Sequence, residues 1–376
     1  MKNIIRIISL IFVVTAIGGC GKSQQHQKST DFPKGMKTEL TEQIKVNAEF
    51  QYPENCKDGK CAETQISGQT LWDKQEEIAQ LLVQDGNITN EYIDDYGTVQ
   101  YKIYEIAENN ATLVISDDTL NYATDQASYI NNVLFSDSRF DDYNGNKYQD
   151  KTDLPFMPQK EAWKNVSEVL DKLGVDVSDD VICYVMEHSI MCKEEKKAIA
   201  RAEEEDTKIP TAKTQWTEDD DCYYFMTYTT WQDYPVLPPV MGEGFDENNV
   251  SVIYDKNGIQ SLSINGYYPL ELKNEVEVVS PEMVLKALEK YFGNIISDDI
   301  YEVQRISLCQ KVVQVNPDKH SAEIEPVWEC RVLVKNSDLP DSSYLQKIYF
   351  HAETLKVNLL RSEEHTSELQ SLAYLV

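Results

Sequence analysis

The 376-residue sequence contains no G-x-S-x-G, H-E-x-x-H, P-loop or G-x-G-x-x-G spacing. The hydrolase, metallopeptidase and nucleotide-binding classes that use these spacings therefore have no motif to stand on. No C-x-x-C occurs either, which leaves zinc or thioredoxin-type chemistry without its usual ligand pair. Positive charge is scarce: 35 Lys and Arg face 64 Asp and Glu, for a formal net charge of −29. Such a surface repels phosphate backbones, so nucleic acid is not an expected partner. Histidine is sparse, at five residues, and no Ser-His-Asp or Cys-His assignment can be argued. The apolar run Ile7–Ile17 is too short for a membrane-spanning helix, which needs about 20 residues.

That short run has another use. It follows Lys2 and Arg6 and ends in Ile17-Gly18-Gly19-Cys20. A basic n-region, a brief apolar h-region and small residues before a cleavage point make a signal peptide. The aliphatic-Gly-Gly-Cys ending resembles the bacterial lipobox. The resemblance implies cleavage before Cys20, a diacylglyceryl group on its thiol, and a membrane partner reached through that anchor. Two or more acyl chains hold a protein at a membrane where one chain alone is marginal. Residues 20–38 begin GKSQQHQKST after the Cys and carry no apolar period, as in a flexible tether that includes His26.

Removing Cys20 from the eight cysteines leaves seven, so at least one thiol is unpaired in a monomer. Cys56 and Cys61 bracket a turn and can close across it. Cys309 and Cys330 fall on neighbouring expected strands and can face each other. Both pairs are candidate disulfides for an exported chain. Buried thiols are the alternative at all of them. His188 lies near Cys183 and Cys192 and is expected to be structural.

Apolar periodicity divides the rest into two expected domains of antiparallel sheet packed with amphipathic helices, an α+β chain. Residues 39–190 form the first and 216–360 the second, with a charged helix or linker at 191–215. In the first, IKVNAEFQ and AETQIS read as two strands around the Cys56–Cys61 turn. TVQYKIYEIAENNATLVISD reads as a hairpin. PQKEAWKNVSEVLDKLG reads as a helix with a stripe of Trp163, Val166, Val169, Leu170 and Leu173, stopped by Gly174. In the second, NVSVIYDKNGIQSLSING reads as a hairpin turning at Asp255-Lys256-Asn257-Gly258. SPEMVLKALEKYFGN reads as a helix capped by Ser280, entered by Pro281 and stopped by Gly293. Its expected stripe is Met283, Val284, Ala287, Leu288 and Tyr291. Three strands follow, the last running through LQKIYFHAETLKVNLL.

Candidate binding residues are few. Asp142, Asn144, Asn146 and Asp150 in FDDYNGNKYQD are closely spaced oxygen donors. A calcium loop starting at Asp142 needs Gly where Lys147 stands, so a solvated Asn/Gly turn is the simpler reading and no metal or other cofactor is expected. The aromatic run Tyr223–Trp231 can stack on sugars or pack a sheet. Acidic residues are too numerous for any pair to mark a glycosidase.

Residues 361–376 resemble something else: RSEEHTSELQS is the translation of a common sequencing-adaptor read-through, and Leu372 to Val376 fit its continuation. This tail is set apart from the fold, as any scar is.

The lipobox, IKVNAEFQYP before a helix, WTEDDDCYYFMTY ahead of DYPV, and EPVWECRVLV with IYFHAETLKV together resemble a family. It comprises envelope lipoproteins of Gram-positive gut bacteria classed as domains of unknown function. The C-terminal part also resembles PepSY-type and YycH/YycI-type regulatory modules, with Leu355 where Gly is usual after A-x-T. The resemblance implies no catalytic residue. The leading expectation is a non-enzymatic lipoprotein on the extracytoplasmic face of the cell membrane, binding or regulating an envelope protein or small ligand. A glycan- or peptide-binding lipoprotein and a carboxylate-dependent hydrolase are the alternatives.

Overall fold

A computed structural model of the chain describes residues 32–56, 59–83, 86–97, 99–135, 143–148, 153–204, 206, 213, 215–238, 249–316, 321–336 and 343–357. The signal peptide, Cys20 and residues 361–376 lie outside them. The first part of the chain forms β1 (Gly35–Glu39), β2 (Ile44–Gln51), β3 (Lys60–Ile66), α1 (Gln75–Val83), β4 (Ile88–Asp95), β5 (Gln100–Ile106), β6 (Ala111–Ile115) and β7 (Thr119–Ala123). Next come α2 (Asp125–Tyr129), α3 (Tyr143–Tyr148), α4 (Gln159–Leu173), β8 (Ile182–Met186), α5 (His188–Glu204), β9 (Cys222–Thr227), β10 (Thr230–Trp231) and β11 (Tyr234–Leu237). The last are β12 (Val250–Asp255), β13 (Gly258–Asn265), β14 (Leu270–Glu277), α6 (Pro281–Phe292), β15 (Ile300–Asn316), β16 (Ser321–Lys335) and β17 (Ser343–His351).

The fold is α+β. One sheet has eight antiparallel strands in the order β4-β5-β6-β7-β13-β12-β9-β8. A seven-stranded sheet is built on β15, which pairs β16 antiparallel and β2 and β11 in parallel. Strand β17 lies beyond β16, and β3 pairs only with β14 in a separate ribbon. Both large sheets draw strands from both halves of the sequence, so residues 191–215 do not divide them. β2 joins the late strands, and β9, β12 and β13 join the early ones. The alternating pattern marks which residues form strands, but partners are chosen by the apolar faces that must be buried together.

Local signals account for several elements. In α4 the buried residues are Ala162, Val166, Leu170 and Leu173, and Gly174 ends the helix at φ 68°, a left-handed turn that glycine adopts without penalty. α6 buries Val284, Leu285, Leu288 and Phe292, while Met283 is exposed, so the inward stripe is rotated from the expected one. Ser280 and Pro281 sit at the expected entry positions, although the Ser280 side chain makes no capping bond. Hairpin β12–β13 turns at Asp255–Gly258 as its sequence predicts.

Three other expectations fail. β2 and β3 do not pair with each other. The expected tether at 20–38 ends early: Phe32 is buried, with its ring 6.2 Å from that of Trp328, and β1 starts at Gly35. The last expected strand breaks after His351, where the chain turns through Leu355 at φ 56° and returns so that Val357 bridges Phe350. Leu355 thus carries a conformation that favours glycine, and its half-buried side chain packs on the core beneath the seven-stranded sheet.

Candidate functional site

Most of the sequence-derived candidates are not assembled into a site. Asp142 and Asp150 lie outside the described residues. Asn144 and Asn146 fall within helix α3 rather than in a ligand loop, and Asn144 is half-buried. His188 opens α5. Its backbone N–H donates to Asp221 Oδ1 at 2.5 Å, and its Nδ1 lies 2.8 Å from the same oxygen. Asp221 thereby fixes the start of the helix, a structural role. The aromatic run on β9 is turned inward: Tyr223, Tyr224 and Phe225 are buried. The Tyr223 hydroxyl accepts from Leu154 N–H and donates to Met157 O, each at 2.6 Å, and Phe135 stacks on Tyr224 at 4.1 Å. Those rings are committed to packing and present no face to a sugar.

All seven described cysteines are free thiols. The register of β15 and β16 explains why Cys309 and Cys330 do not join. Cys309 stands opposite Val327, whereas Cys330 stands opposite Ile306, three positions away, so the two side chains lie on opposite faces of the sheet. Cys56 and Cys61 share one apolar cluster. Burial pushes the Cys56 thiol up to about 11 and the Cys61 thiol up to about 12, Cys61 also feeling Cys56 and nearby carboxylates. Only the thiolate reacts with iodoacetamide. At pH 8 the folded chain should therefore be alkylated at Cys56 and Cys61 at least ~100-fold more slowly than the urea-unfolded chain, measured by mass spectrometry. Equal rates would mean that these thiols are accessible.

A concave feature lies where β17 stops. β17 pairs with β16 from Lys335 down to Val327, and Ala352 N–H then closes on Pro326 O at 2.9 Å. Below that point the β16 segment Ala322–Glu325 has no strand beside it on the β17 side among the described residues. A groove of about 470 Å³ opens there. One wall is this strand edge, another is the β3–β14 ribbon at Glu63–Gln65 and Lys273, and His351 and Glu353 close one end. Pro326 suits the junction, because its missing N–H falls on the side where the ladder ends.

The ribbon is fixed to the sheet by buried polar contacts. The Gln310 amide donates to Ala62 O at 2.8 Å, Ala62 N–H donates to the Tyr234 hydroxyl at 3.2 Å, and Thr64 Oγ1 lies 2.8 Å from Gln310 Oε1. The groove walls therefore form a fixed pair. Its charges are mostly acidic. Lys273 Nζ donates to Glu63 at 2.7 Å and holds that carboxyl below the usual range. Glu323 and Glu353 remain exposed. His351 Nδ1 accepts from the N–H groups of Glu353 and Thr354 at 3.2 and 3.3 Å, which orders the closing turn.

Behind the groove, on the same face of the sheet as His351, lies a polar row in which Lys311 and Glu329 are buried and Arg305 and Tyr349 half-buried. Arg305 Nη2 is 3.7 Å from Glu329 Oε1, and its Nη1 is 3.9 Å from Asp180, which links this face to the segment before β8. Sequence alone could not place these residues, because strand alternation shows a face without showing what covers it.

No family model and no curated protein matches the chain. Among solved structures, its fold is similar to that of an uncharacterized protein from Eubacterium rectale ATCC 33656, whose crystal structure was determined at 1.45 Å resolution. The TM-score is 0.63 at 16% sequence identity, over 86% of this chain and 93% of that one. The likeness is one of fold.

Proposed function

We propose that this chain is a lipoprotein anchored through Cys20 to the extracytoplasmic face of the cell membrane, where its body binds or regulates an envelope partner without catalysing a reaction. The observation that carries this reading is the N-terminal sequence, a basic start, a short apolar run and Ile17-Gly18-Gly19-Cys20. The residues from Cys20 to the buried Phe32 can span at most about 40 Å, so the body would stay close to the bilayer. In the groove beside β16, Glu63 does not suit the general-acid role that a carboxylate-dependent hydrolase would need. A general acid needs a carboxyl held above its ordinary range, whereas Glu63 is held below it by Lys273.

Replacing Cys20 with Ser tests the anchor. In a bacterial host the variant should lose incorporation of a labelled fatty acid, and it should either leave the membrane fraction or keep its leader. A Cys20→Ser protein that is processed and membrane-bound like its parent would refute the proposal.

A further inference from the structure

We infer that the groove beside β16 is a strand-addition site for an extended, basic peptide segment of a partner. This rests on the reading of the chain as a binding protein and names what it would bind.

In an antiparallel ladder, alternate residues direct their N–H and C=O to opposite sides. Pro326 O accepts from Ala352 on the β17 side. Two and four residues earlier, Ile324 and Ala322 therefore direct their backbone groups to that same side, into the groove. An extended peptide laid there would continue the line of β17 and take up those groups. This is the β-augmentation mode, in which main-chain bonds give affinity and side chains give selection. The open edge from Ala322 to Glu325 accommodates about four residues at about 3.3 Å each.

The walls specify charge. Glu63 is already paired with Lys273, but Glu323 and Glu353 are exposed at the groove with no cation within salt-bridge distance among the described residues. A segment with Lys or Arg at alternate positions would meet these carboxylates, while an acidic one would be repelled. A second copy of this chain is a poor occupant because its own excess charge is negative.

The test uses the full-length protein in detergent and three synthetic octapeptides: alternating Lys-Val, alternating Glu-Val, and Lys-Val N-methylated at alternate amides. The Lys-Val peptide should bind, the Glu-Val peptide should not, and N-methylation should weaken binding at least ~10-fold. Ala322→Pro removes one groove-facing N–H at an edge, where proline is tolerated. It should weaken binding at least ~10-fold with little change in Tm, and Glu323→Lys with Glu353→Lys should do the same. Equal binding of the methylated peptide, or undiminished binding by these variants, would reduce the interaction to non-specific charge attraction and overturn the inference. No binding of any peptide would overturn it too. A chain that is anchored through Cys20 but takes no peptide loses this inference alone. One that takes the peptide but is not lipidated loses the anchoring proposal alone.

Discussion

Replacing Lys311 with Met is expected to stabilise the folded chain by about 3 kcal/mol at pH 7, seen as a higher denaturant midpoint. Lys311 is fully buried in β15. Its Nζ has no hydrogen-bond partner among the described residues and rests 4.2 Å from the centre of the Tyr349 ring. The ring offers an ammonium about 1–2 kcal/mol, and Glu329 attracts it through space, but neither replaces the lost hydration. Burial therefore lowers the ammonium from 10.5 to about 8. The sign of the pH dependence follows. Below about pH 8 the folded and unfolded chains both carry the proton, and the penalty is constant. Between about pH 8 and 10.5 the unfolded chain binds more protons, so this residue's contribution to stability improves as pH rises. Met fills similar space without charge, and its advantage over Lys should shrink to near zero by about pH 10.5. An advantage that is absent at pH 7, or that stays constant to pH 10.5, would show that Lys311 is solvated or paired.

The residues that a sequence reader can place are those governed by near neighbours. Gly174 and the Val166-Leu170-Leu173 stripe define α4, and Asn257-Gly258 defines the β12–β13 turn, because each signal acts within a few residues. Partner choice between strands is not local. Nothing in IKVNAEFQ indicates that β2 will run parallel to β15, some 250 residues later in the chain. The disulfide expected between Cys309 and Cys330 fails for the same reason. Both sit on neighbouring strands, but an odd offset in register sends one thiol to each face. The groove is equally hidden, since it exists because β17 ends opposite Val327 and leaves Ala322–Glu325 of β16 without a strand on that side among the described residues, and a run of alternating residues does not announce where its partner stops. Pro326 is visible in EPVWECRVLV, but a proline in such a run does not say on which side, or where, a ladder ends.

Replacing Glu195 with Leu is expected to cost about 3–5 kcal/mol, a loss no charged surface helix would suffer. The run KEEKKAIARAEEE lacks an apolar stripe and reads as a solvated face, yet Glu194 and Glu195 are buried in α5. Glu195 gathers three donors. The Tyr129 hydroxyl and Lys213 N–H reach Oε1 at 2.6 and 2.8 Å, and Trp216 Nε1–H reaches Oε2 at 2.9 Å. Burial and this carboxylate together push the Tyr129 hydroxyl well above its usual range, so it stays a donor at any ordinary pH. One side chain thus ties α5, α2 and the strand-leading segment at Trp216 into a single unit. Leu fills the volume but strands all three donors out of water. Gln keeps acceptor capacity at one oxygen and turns its NH₂ against the donors at the other, so Glu195→Gln should cost less, about 1–2 kcal/mol. Denaturant unfolding followed by tryptophan fluorescence would rank the three proteins. A Leu variant within about 1 kcal/mol of the parent would mean that water reaches these donors and that the run is the solvated face its composition suggests.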